Sequence, residues 1–352
     1  MPKTKINHGE AYTAHYNRIE RYIALVEAIF EQATKDSVRL ARSVKYDGKS
    51  LFAFRDYPKV KARFDELLNA MDEDIQMVIV NGVTAEWDES NFKNDELTRS
   101  ILGERIAGKE MPDSKYKRFF QNNESALKAF LARKDSGMNL SSRVWNLTQK
   151  YKSDLELALS IGLADGKSAA ELSRDIREFL NEPERLFRRT RNKYGDLVLS
   201  KAAKSYHPGE GIYRSSYKNA LRLARTEINM AYRTADHTRW QQLDFIVGFE
   251  VKRSGRDYSC SICSAFAGKY PKWFKFVSWH PNCRCYVIPI LMTDAEFWAE
   301  SETSINEVKE VPAGFKNWCS QNMKRAKDAT SVPYWVRDNF KNGRLENGLR
   351  LV

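Results

Sequence analysis

Apolar residues recur at helical spacing along most of the first half of this chain. They fall three or four residues apart from Tyr12 to about Val44, and again from Val60 to Val80. The same spacing predicts three further helices, at Glu124–Lys134, Val144–Gly162 and Ala169–Leu180. Ser168 and Glu171 form a capping box at the start of the last one. The first half is therefore predicted to be an all-helical assembly whose apolar stripes form its core rather than a ligand site.

The second half combines one long helix with strands. A helix is predicted from Ser216 to Leu243, with one apolar seam and one polar stripe. The seam comprises Leu221, Ala224, Ile228, Ala231, Ala235 and Thr238. The stripe comprises Arg222, Arg225, Asn229, Arg233 and Asp236. Strands are predicted at Phe245–Val251 and Tyr286–Ile290, the second near a sheet edge because it contains Pro289.

Between the two predicted strands lies a segment rich in cysteine. It holds four of the five cysteines of the chain and one of its five histidines. The segment begins C-S-I-C at Cys260 and, after sixteen further residues, continues H-P-N-C-R-C to Cys285. Two pairs of ligands at this spacing are typical of a structural zinc site, in which they close a tetrahedron around one ion. The pattern therefore predicts zinc as a structural cofactor, with iron a poorer fit to the same donors.

Five residues are candidate ligands of this zinc ion. Cys260, Cys263 and His280 are the firmest. Cys283 and Cys285 compete for the fourth position, and only one of them is expected to face the ion, because the two are expected to point to opposite sides of an extended strand. Cys283 is favoured because it follows the turn predicted at the Pro-Asn pair. The spacing by itself leaves the identity of the fourth ligand open.

Disulfides and simple packing of free thiols are the alternatives to zinc. The N-terminus, Met1 to His8, is polar and basic and carries no secretory signal, so the thiols are expected to stay reduced. A catalytic zinc would keep an open position beside a general acid or base, and His280 is the only histidine in the segment. The site is therefore predicted to be structural and the protein not to be an enzyme.

Composition limits the partners that this chain is expected to have. Its 352 residues are enough for two or three domains, and 42% of them are hydrophobic and 30% charged. No apolar run approaches the length of a membrane span, so no membrane partner is expected. No small-molecule substrate is expected for a protein that is predicted not to be an enzyme. Lysine and arginine total 58 against 46 acidic residues, a net charge of +12. Such a surplus favours an anionic partner such as nucleic acid, and a basic protein without that role is the alternative.

Basic residues are densest from Arg185 to Arg191 and just beyond. Bulky apolar residues alternate with these charges, so the stretch is predicted to be a folded basic face rather than a disordered tail. Candidate phosphate contacts are Arg188, Arg189, Arg191 and Lys193. A solvated helix face is an equally good interpretation of the same charges.

Together these elements predict an α+β fold that is predominantly α-helical. An N-terminal helical region is expected at residues 1–150, followed at residues 151–292 by a domain that contains a small zinc-stapled α+β module. Residues 293–352 contain several aromatic side chains and are too few for an independent enzyme domain. They are expected to be a C-terminal appendage or docking segment.

Several of these motifs, taken in order, resemble a known family. They are L-A-R-T-E-I-N-M-A at Leu223–Ala231, Asp257 shortly before the C-x-x-C pair, Gly268, the H-P-N-C-R-C segment and Pro289. The series resembles the phage Mu F-like head morphogenesis family, whose members are minor head proteins of tailed phages and prophages. The likeness is specific from about Ser216 to Ile290 and weaker back to about Ala158. It covers neither the N-terminal helical half nor the C-terminal tail.

The resemblance implies a virion component that acts in capsid assembly and in DNA packaging or delivery. It implies the phage portal and other head proteins as partners, and non-specific contact with double-stranded DNA. It also implies a location inside the head or at the portal vertex, after assembly in the bacterial cytoplasm. Arg225, Thr226 and Glu227 correspond to the polar helix motif of the family. An arginine and a glutamate two residues apart on a helix do not face each other, so each is expected to pair elsewhere and to pin the helix to the zinc segment near Asp257.

Two other functions remain as alternatives. A zinc-knuckle nucleic-acid-binding protein or nuclease would need an open metal position and general bases near Cys285, where Asp257 and Asp294 are the obvious carboxylates. Some members of the family carry a C-terminal toxin domain such as an ADP-ribosyltransferase, but residues 293–352 are too few for one. A non-catalytic head protein is therefore the leading hypothesis.

Overall fold

The computed structural model of the chain describes residues 7–103, 111–181, 189–191, 194–195, 197–199, 215–254, 260–327, 332–341 and 345. Its helices are α1 (His8–Arg42), α2 (Pro58–Leu102), α3 (Asp113–Phe119), α4 (Glu124–Ala132), α5 (Leu140–Ala164), α6 (Ala169–Asn181), α7 (Ser216–Gln242), α8 (Ser261–Ala265), α9 (Asp294–Trp298), α10 (Ala313–Lys327) and α11 (Tyr334–Asn339). Its strands are β1 (Arg189–Arg191), β2 (Leu197–Leu199), β3 (Ile246–Lys252), β4 (Gly268–Pro271) and β5 (Tyr286–Leu291).

Helices make up most of the described residues, and the main sheet is small. Its three antiparallel strands lie in the order β4-β3-β5, and β1 and β2 form a separate antiparallel pair. The predicted fold class, α+β and predominantly α-helical, is confirmed. β5 lies at one edge of the described sheet, as its proline indicated, and Pro289 pairs with Phe249 of β3.

Helix α2 is far longer than predicted. It runs for 45 residues to Leu102, whereas the apolar pattern predicted an end at Val80. The continuation buries side chains that are polar and lie on one helical face: Glu86, Ser90, Asn91, Asn94 and Thr98. Hydrogen bonds pair the buried polar groups of this face. For example, the Trp240 indole N–H donates to Asn94 Oδ1 at 2.7 Å. The same stretch also buries Val83, Trp87, Leu97 and Leu102. The predicted end was wrong because polar residues fill the positions between these on the buried face and interrupt the apolar period.

The chain forms two compact units, each assembled from separate segments. Unit 1 comprises Met1–Ile19, Gly82–Leu131 and Thr226–Val352, and unit 2 comprises Glu20–Asn81 and Ala132–Arg225. The domain boundaries predicted at residues 150 and 292 do not coincide with the edges of these units. Compact units built from separate segments do not test boundaries between consecutive domains, so the boundaries stay a prediction. The cysteine segment and the predicted C-terminal appendage both belong to unit 1.

Unit 2 is mainly helical, with β1 and β2 as its described strands, and aromatic side chains pack in its core. Phe30 of α1 meets Tyr151 of α5 edge to face, with ring centroids 5.3 Å apart. The buried Tyr151 hydroxyl lies at hydrogen-bond distance, 3.0 Å, from Thr34 Oγ1. At the start of α6 the Ser168 and Glu171 side chains each accept a hydrogen bond from the other residue's backbone N–H, which confirms the predicted capping box.

Unit 1 packs its sheet against a dense aromatic cluster centred on Phe266, which is fully buried. Four rings surround it at centroid distances of 4.9 to 5.1 Å: Trp279, Phe315, Trp318 and Trp335. The last three come from α10 and α11, so the segment predicted as an appendage completes this core. Three of the cysteines of the predicted zinc segment belong to the same cluster. These three cysteines therefore pack directly against the aromatic core.

Gly314, in the first turn of α10, lies against α8. A Cβ atom at this position would be 2.3 Å from the Ala265 carbonyl oxygen. Gly314→Ala is therefore expected to force the two helices apart and to lower the free energy of unfolding by about 1–3 kcal/mol. Urea unfolding followed by tryptophan fluorescence measures this effect. The exposed Gln321→Ala on the same helix is the control, and equal unfolding midpoints for the two variants would contradict the expected clash.

Candidate metal centre

The short helix α8 places Cys260 and Cys263. Cys260 is the N-cap residue, with extended backbone angles, and its Sγ accepts a hydrogen bond from the Cys263 N–H at 3.4 Å. This cap turns the chain so that both sulfurs approach His280. Two cysteines separated by two residues can share one ion through a tight turn of this kind.

The H-P-N-C-R-C segment, residues 280–285, forms the second half of the site and leads into β5. The Cys283 N–H donates to the His280 carbonyl oxygen at 3.1 Å and closes a turn, as predicted for the Pro-Asn pair. Asn282 in this turn has a φ of 62°, in the left-handed region that asparagine tolerates better than most residues. The turn brings the two candidate ligands back toward α8.

The donor atoms of the five candidate ligands lie close together. His280 Nε2 is 3.3 Å from Cys260 Sγ and 3.2 Å from Cys263 Sγ. Cys263 Sγ is also 3.8 Å from Cys283 Sγ. Two groups of donors, one of Cys260, Cys263 and His280 and one of Cys263, Cys283 and Cys285, each have all their donor atoms within 4.8 Å of one another. The cluster could therefore hold a metal ion, and Cys263 belongs to both groups.

Both Cys283 and Cys285 face Cys263, and the expectation that only one of them would face the site is wrong. Both side chains are 4% exposed, and their sulfurs lie within 4.8 Å of each other and of Cys263 Sγ. The reason is geometric, because residues two apart in an extended chain project from the same side. The structure thus supplies five donors where four were expected to suffice.

A hydrogen bond from its second nitrogen orients the imidazole of His280. Nδ1 lies 2.8 Å from the Pro281 carbonyl oxygen, which can only accept, so Nδ1 carries the hydrogen. In the neutral ring Nε2 is then unprotonated and presents its lone pair to the sulfurs of Cys260 and Cys263. This tautomer is the one that a metal ligand requires.

Contacts among the three buried sulfurs set their charge. The hydrogen bonds that Cys283 accepts from Cys263 and Cys285 hold the pKa of Cys283 well below its usual value. The same contact with Cys283 raises the pKa of Cys263. One thiolate is therefore already favoured among the three. A bound cation would offset the repulsion that keeps the other two protonated, and metal binding would release their protons.

All five cysteines are free thiols in the structure. The four cysteines of the predicted zinc segment therefore do not form the two disulfides that were the alternative to zinc. Cys319, on α10, belongs to neither donor group. It is 2% exposed in the aromatic core, and burial raises the pKa of its thiol to about 12. Cys319 is therefore an inert core residue.

Three side chains of α7 hold the backbone of the H-P-N-C-R-C segment. The three bonds are Asn282 N–H to Thr226 Oγ1 at 3.2 Å, Asn229 Nδ2 to the Cys283 carbonyl at 3.1 Å and Arg233 Nη2 to the Cys285 carbonyl at 2.5 Å. Positions 226, 229 and 233 are three and four residues apart and so lie on one helical face. Two of them, Asn229 and Arg233, belong to the polar stripe predicted on this helix. That stripe therefore supports the candidate ligands.

Arg225 pairs away from Glu227, as predicted, but with Glu20 and not with the predicted zinc segment. Arg225 donates from Nε and Nη2 to the two carboxylate oxygens of Glu20, at 3.0 Å each. Thr226 is the member that bonds to the candidate metal segment, at Asn282. Glu227 is 3% exposed. Asp257, expected to lie near this contact, falls outside the described residues.

The candidate phosphate contacts are only partly within the described chain. Arg188 and Lys193 lie outside it, and nothing is described of the side chains of Arg189 and Arg191. Arg189 and Arg191 belong to strand β1, where they pair with Leu199 and Leu197. A helix face, one of the two interpretations of this stretch, is therefore wrong for these two residues. Their contact with phosphate stays a prediction.

Sequence reasoning missed two residues that support the segment, Tyr12 and His15. Tyr12 was assigned to the apolar stripe of the first helix, and His15 was not singled out. Their hydrogen bonds reach Arg284 and Asn229, which are 272 and 214 positions away along the chain. The helical spacing predicts that such positions are buried, but no local pattern relates them to partners so distant.

No protein-family model, no curated protein and no solved structure matches this chain. Among the described helices, none combines the length and the apolar character needed to span a membrane.

Proposed function

We propose that this chain is a minor head protein of a phage or prophage, non-catalytic and stabilised by a structural zinc ion. The observation that carries the proposal is the cluster of five sulfur and nitrogen donors in unit 1. The order of the motifs supports a Mu F-like head morphogenesis protein. Such a protein would act in capsid assembly and in DNA packaging or delivery at the portal vertex.

The donor distances at His280 and at Cys263 fit those between neighbouring ligands of a tetrahedral zinc ion, and the five donors form two groups of three that share Cys263. With Zn–S of about 2.3 Å and Zn–N of about 2.0 Å, neighbouring ligands lie about 3.6 Å apart for sulfur and nitrogen and about 3.8 Å apart for two sulfurs. The distances of 3.2 and 3.3 Å at His280 Nε2, and of 3.8 Å between Cys263 and Cys283, are close to these values. Cys260, Cys263 and His280 would hold the ion together with Cys283 or Cys285. Thiolate-rich donors favour zinc over harder cations.

The donor set supports a structural role for this ion. A structural zinc takes four protein ligands, whereas a catalytic zinc keeps one position for water or substrate. The cluster offers five donors, enough to fill every position of a tetrahedral ion. Cys263, Cys283 and Cys285 are at most 5% exposed and lie in the hydrophobic core rather than in a cleft. An ion here would join α8 to the segment before β5 and stabilise unit 1.

The head function is supported by the motif resemblance and by charge. A net charge of +12 suits a protein that lies close to packaged DNA and contacts its phosphates without sequence preference. The proposed partners are the portal and other head proteins. The proposed location is the virion, at the portal vertex or inside the head, with the bacterial cytoplasm as the place of assembly.

The genes that flank the coding sequence give a first test of the head function. A portal gene upstream and a major capsid gene downstream are expected. The biochemical test is co-expression of the full chain with that portal protein, where a complex that persists at high salt is expected. A chromosomal context without any head gene, together with failure to bind the portal, would overturn the proposal.

A zinc-knuckle nuclease is the second candidate, and the charge surplus, which suits a nucleic-acid substrate, favours it. Incubation of the purified chain with plasmid DNA and magnesium separates a head protein from a nuclease. Binding without cleavage, with an affinity that falls steeply as salt rises, is expected of a head protein near DNA. Strand cleavage that disappears in Cys263→Ser would instead make the chain a nuclease.

A further inference from the structure

The first turns of α1 lie against the H-P-N-C-R-C segment. The Tyr12 hydroxyl donates to the Arg284 carbonyl oxygen at 2.5 Å, and the Tyr12 ring stacks on Tyr286 with centroids 4.7 Å apart. Burial raises the pKa of Tyr12 to about 12, so the hydroxyl keeps its proton and can donate it. Tyr12 therefore binds the backbone at the residue that separates the two cysteines of the segment.

His15, one turn further along α1, reaches the segment through Asn229. The Asn229 amide nitrogen donates to the Cys283 carbonyl at 3.1 Å, which leaves its oxygen facing His15 Nε2 at 3.0 Å. That oxygen and the Glu86 carboxylate can both only accept, so Nε2 and Nδ1 each donate a hydrogen bond when the ring is protonated. Two contacts hold the ring: it stacks on Tyr232 with centroids 4.0 Å apart, and its Nδ1 lies 2.5 Å from the Glu86 carboxylate.

Arg18, on the following turn, holds Glu86. Its Nε and Nη2 lie 2.5 and 3.0 Å from the two carboxylate oxygens, and Glu86 is fully buried. A continuous chain of polar contacts therefore runs from Arg18 through Glu86, His15 and Asn229 to the Cys283 carbonyl. A buried network of this kind rigidifies its surroundings when every member is satisfied.

The side chain of Arg284 also turns toward α1. Its guanidinium carbon lies 4.6 Å from the centroid of the Tyr16 ring. Cys283 and Cys285, on either side of it, direct their sulfurs at Cys263. This alternation is what an extended chain requires. Helix α1 thus holds the face of the segment opposite to the sulfurs.

We propose that Tyr12 and His15 are positioning residues of the metal centre, and that the start of α1 belongs to the site. The inference rests on the proposed function, because it concerns retention of the structural ion. Tyr12 holds the carbonyl of Arg284, and His15 orients the amide that holds the carbonyl of Cys283. Together they keep residues 283–285 extended, so that both sulfurs stay directed at Cys263. Loss of either contact lets the segment rotate and opens the ion to exchange.

Tyr12→Phe tests the proposal because it removes one hydroxyl and keeps the stacked ring. Tyr217→Phe is the matched control, since it removes a hydroxyl that bonds to Glu27 in unit 2 at 3.1 Å. The measurement is the rate of zinc transfer from each full-length protein to a chromogenic chelator. Tyr12→Phe is expected to release zinc about 10 times faster than wild type, in the range seen when partners of metal ligands are removed. Tyr217→Phe is expected to match wild type.

Two further measurements separate positioning from a general loss of stability. In urea unfolding of the zinc-loaded proteins, Tyr12→Phe and Tyr217→Phe are expected to have similar unfolding midpoints, although their rates of zinc release differ. His15→Ala is expected to release zinc faster than wild type, and His15→Gln, whose amide can still donate to Asn229, to recover part of the loss. Equal release rates for Tyr12→Phe and Tyr217→Phe would overturn this inference alone. A wild-type chain that binds no zinc would instead overturn the proposed zinc function.

Discussion

Cys263→Ser is expected to abolish metal binding, because its sulfur belongs to both donor groups among the described residues. Cys263 Sγ lies 3.2 Å from His280 Nε2 and 3.8 Å from Cys283 Sγ, so it sits at the centre of the cluster. A serine hydroxyl does not replace a thiolate as a zinc ligand.

The expected loss of stability follows from mass action. Free zinc at about 1,000 times its dissociation constant stabilises the folded state by about 4 kcal/mol. Cys263→Ser, and the wild-type chain after chelation, should both lose a contribution of at least this size. The measurements are metal content per chain, expected to be about one zinc in wild type, and thermal unfolding before and after chelation.

Cys319→Ser is the matched control, since Cys319 is a buried thiol outside both donor groups. It is expected to keep one zinc and the full response to chelation. A wild-type chain that contains no metal, and melts at the same temperature with and without chelator, would contradict the structural zinc site. The proposed head function would then rest on the motif resemblance and the net charge.

Lys93→Ala is expected to destabilise unit 1 by about 3–5 kcal/mol, because it leaves the buried Asp236 carboxylate without its cation. Lys93 Nζ lies 2.6 Å from Asp236 Oδ1 and 4.6 Å from the centroid of the Tyr232 ring. Burial lowers the pKa of Lys93, but Asp236 and Tyr232 more than offset this and raise it above its usual value, so the ammonium stays charged. Ser90 and Asn94 also donate to Asp236 but carry no charge.

Lys61→Ala serves as the control for this prediction. Lys61 pairs with Asp65 on the same helix, but both side chains are substantially exposed, and exposed pairs contribute at most about 1 kcal/mol. Urea unfolding followed by tryptophan fluorescence compares the two variants. A loss in Lys93→Ala no greater than in Lys61→Ala would mean that Asp236 is solvated rather than buried as a charge.

The candidate ligands could be predicted because metal spacing is a local property of a sequence. The C-x-x-C pair and the H-P-N-C-R-C segment each form one turn, and all five predicted donors lie in the cluster. The expectation for Cys283 and Cys285 was wrong, because both project from the same side of an extended chain. The residues that hold the backbone of the H-P-N-C-R-C segment could be predicted only in part. Asn229 and Arg233 were assigned to a polar stripe, but the stripe does not reveal which carbonyls it meets.

The helices also differ in how well the sequence predicted them. α1, α5, α6 and α7 were predicted nearly to their ends, because one apolar face gives each a clear period. The second half of α2 was missed because its buried face mixes a few apolar residues, such as Trp87 and Leu97, with many polar ones, which interrupts the apolar period. Ser90 and Asn94 look like solvent-exposed residues until Asp236 of α7 is brought against them.

By itself the sequence of this protein determined its helical periodicity, its fold class and the spacing of its candidate zinc ligands. These are local properties, set by side chains within one or two turns of each other. Only the tertiary structure decided that both late cysteines face Cys263, that α10 and α11 complete the core beneath them, and that Tyr12 and His15 hold their backbone. These contacts join residues far apart in the chain, and their geometry depends on the packing of whole helices, which no local pattern records.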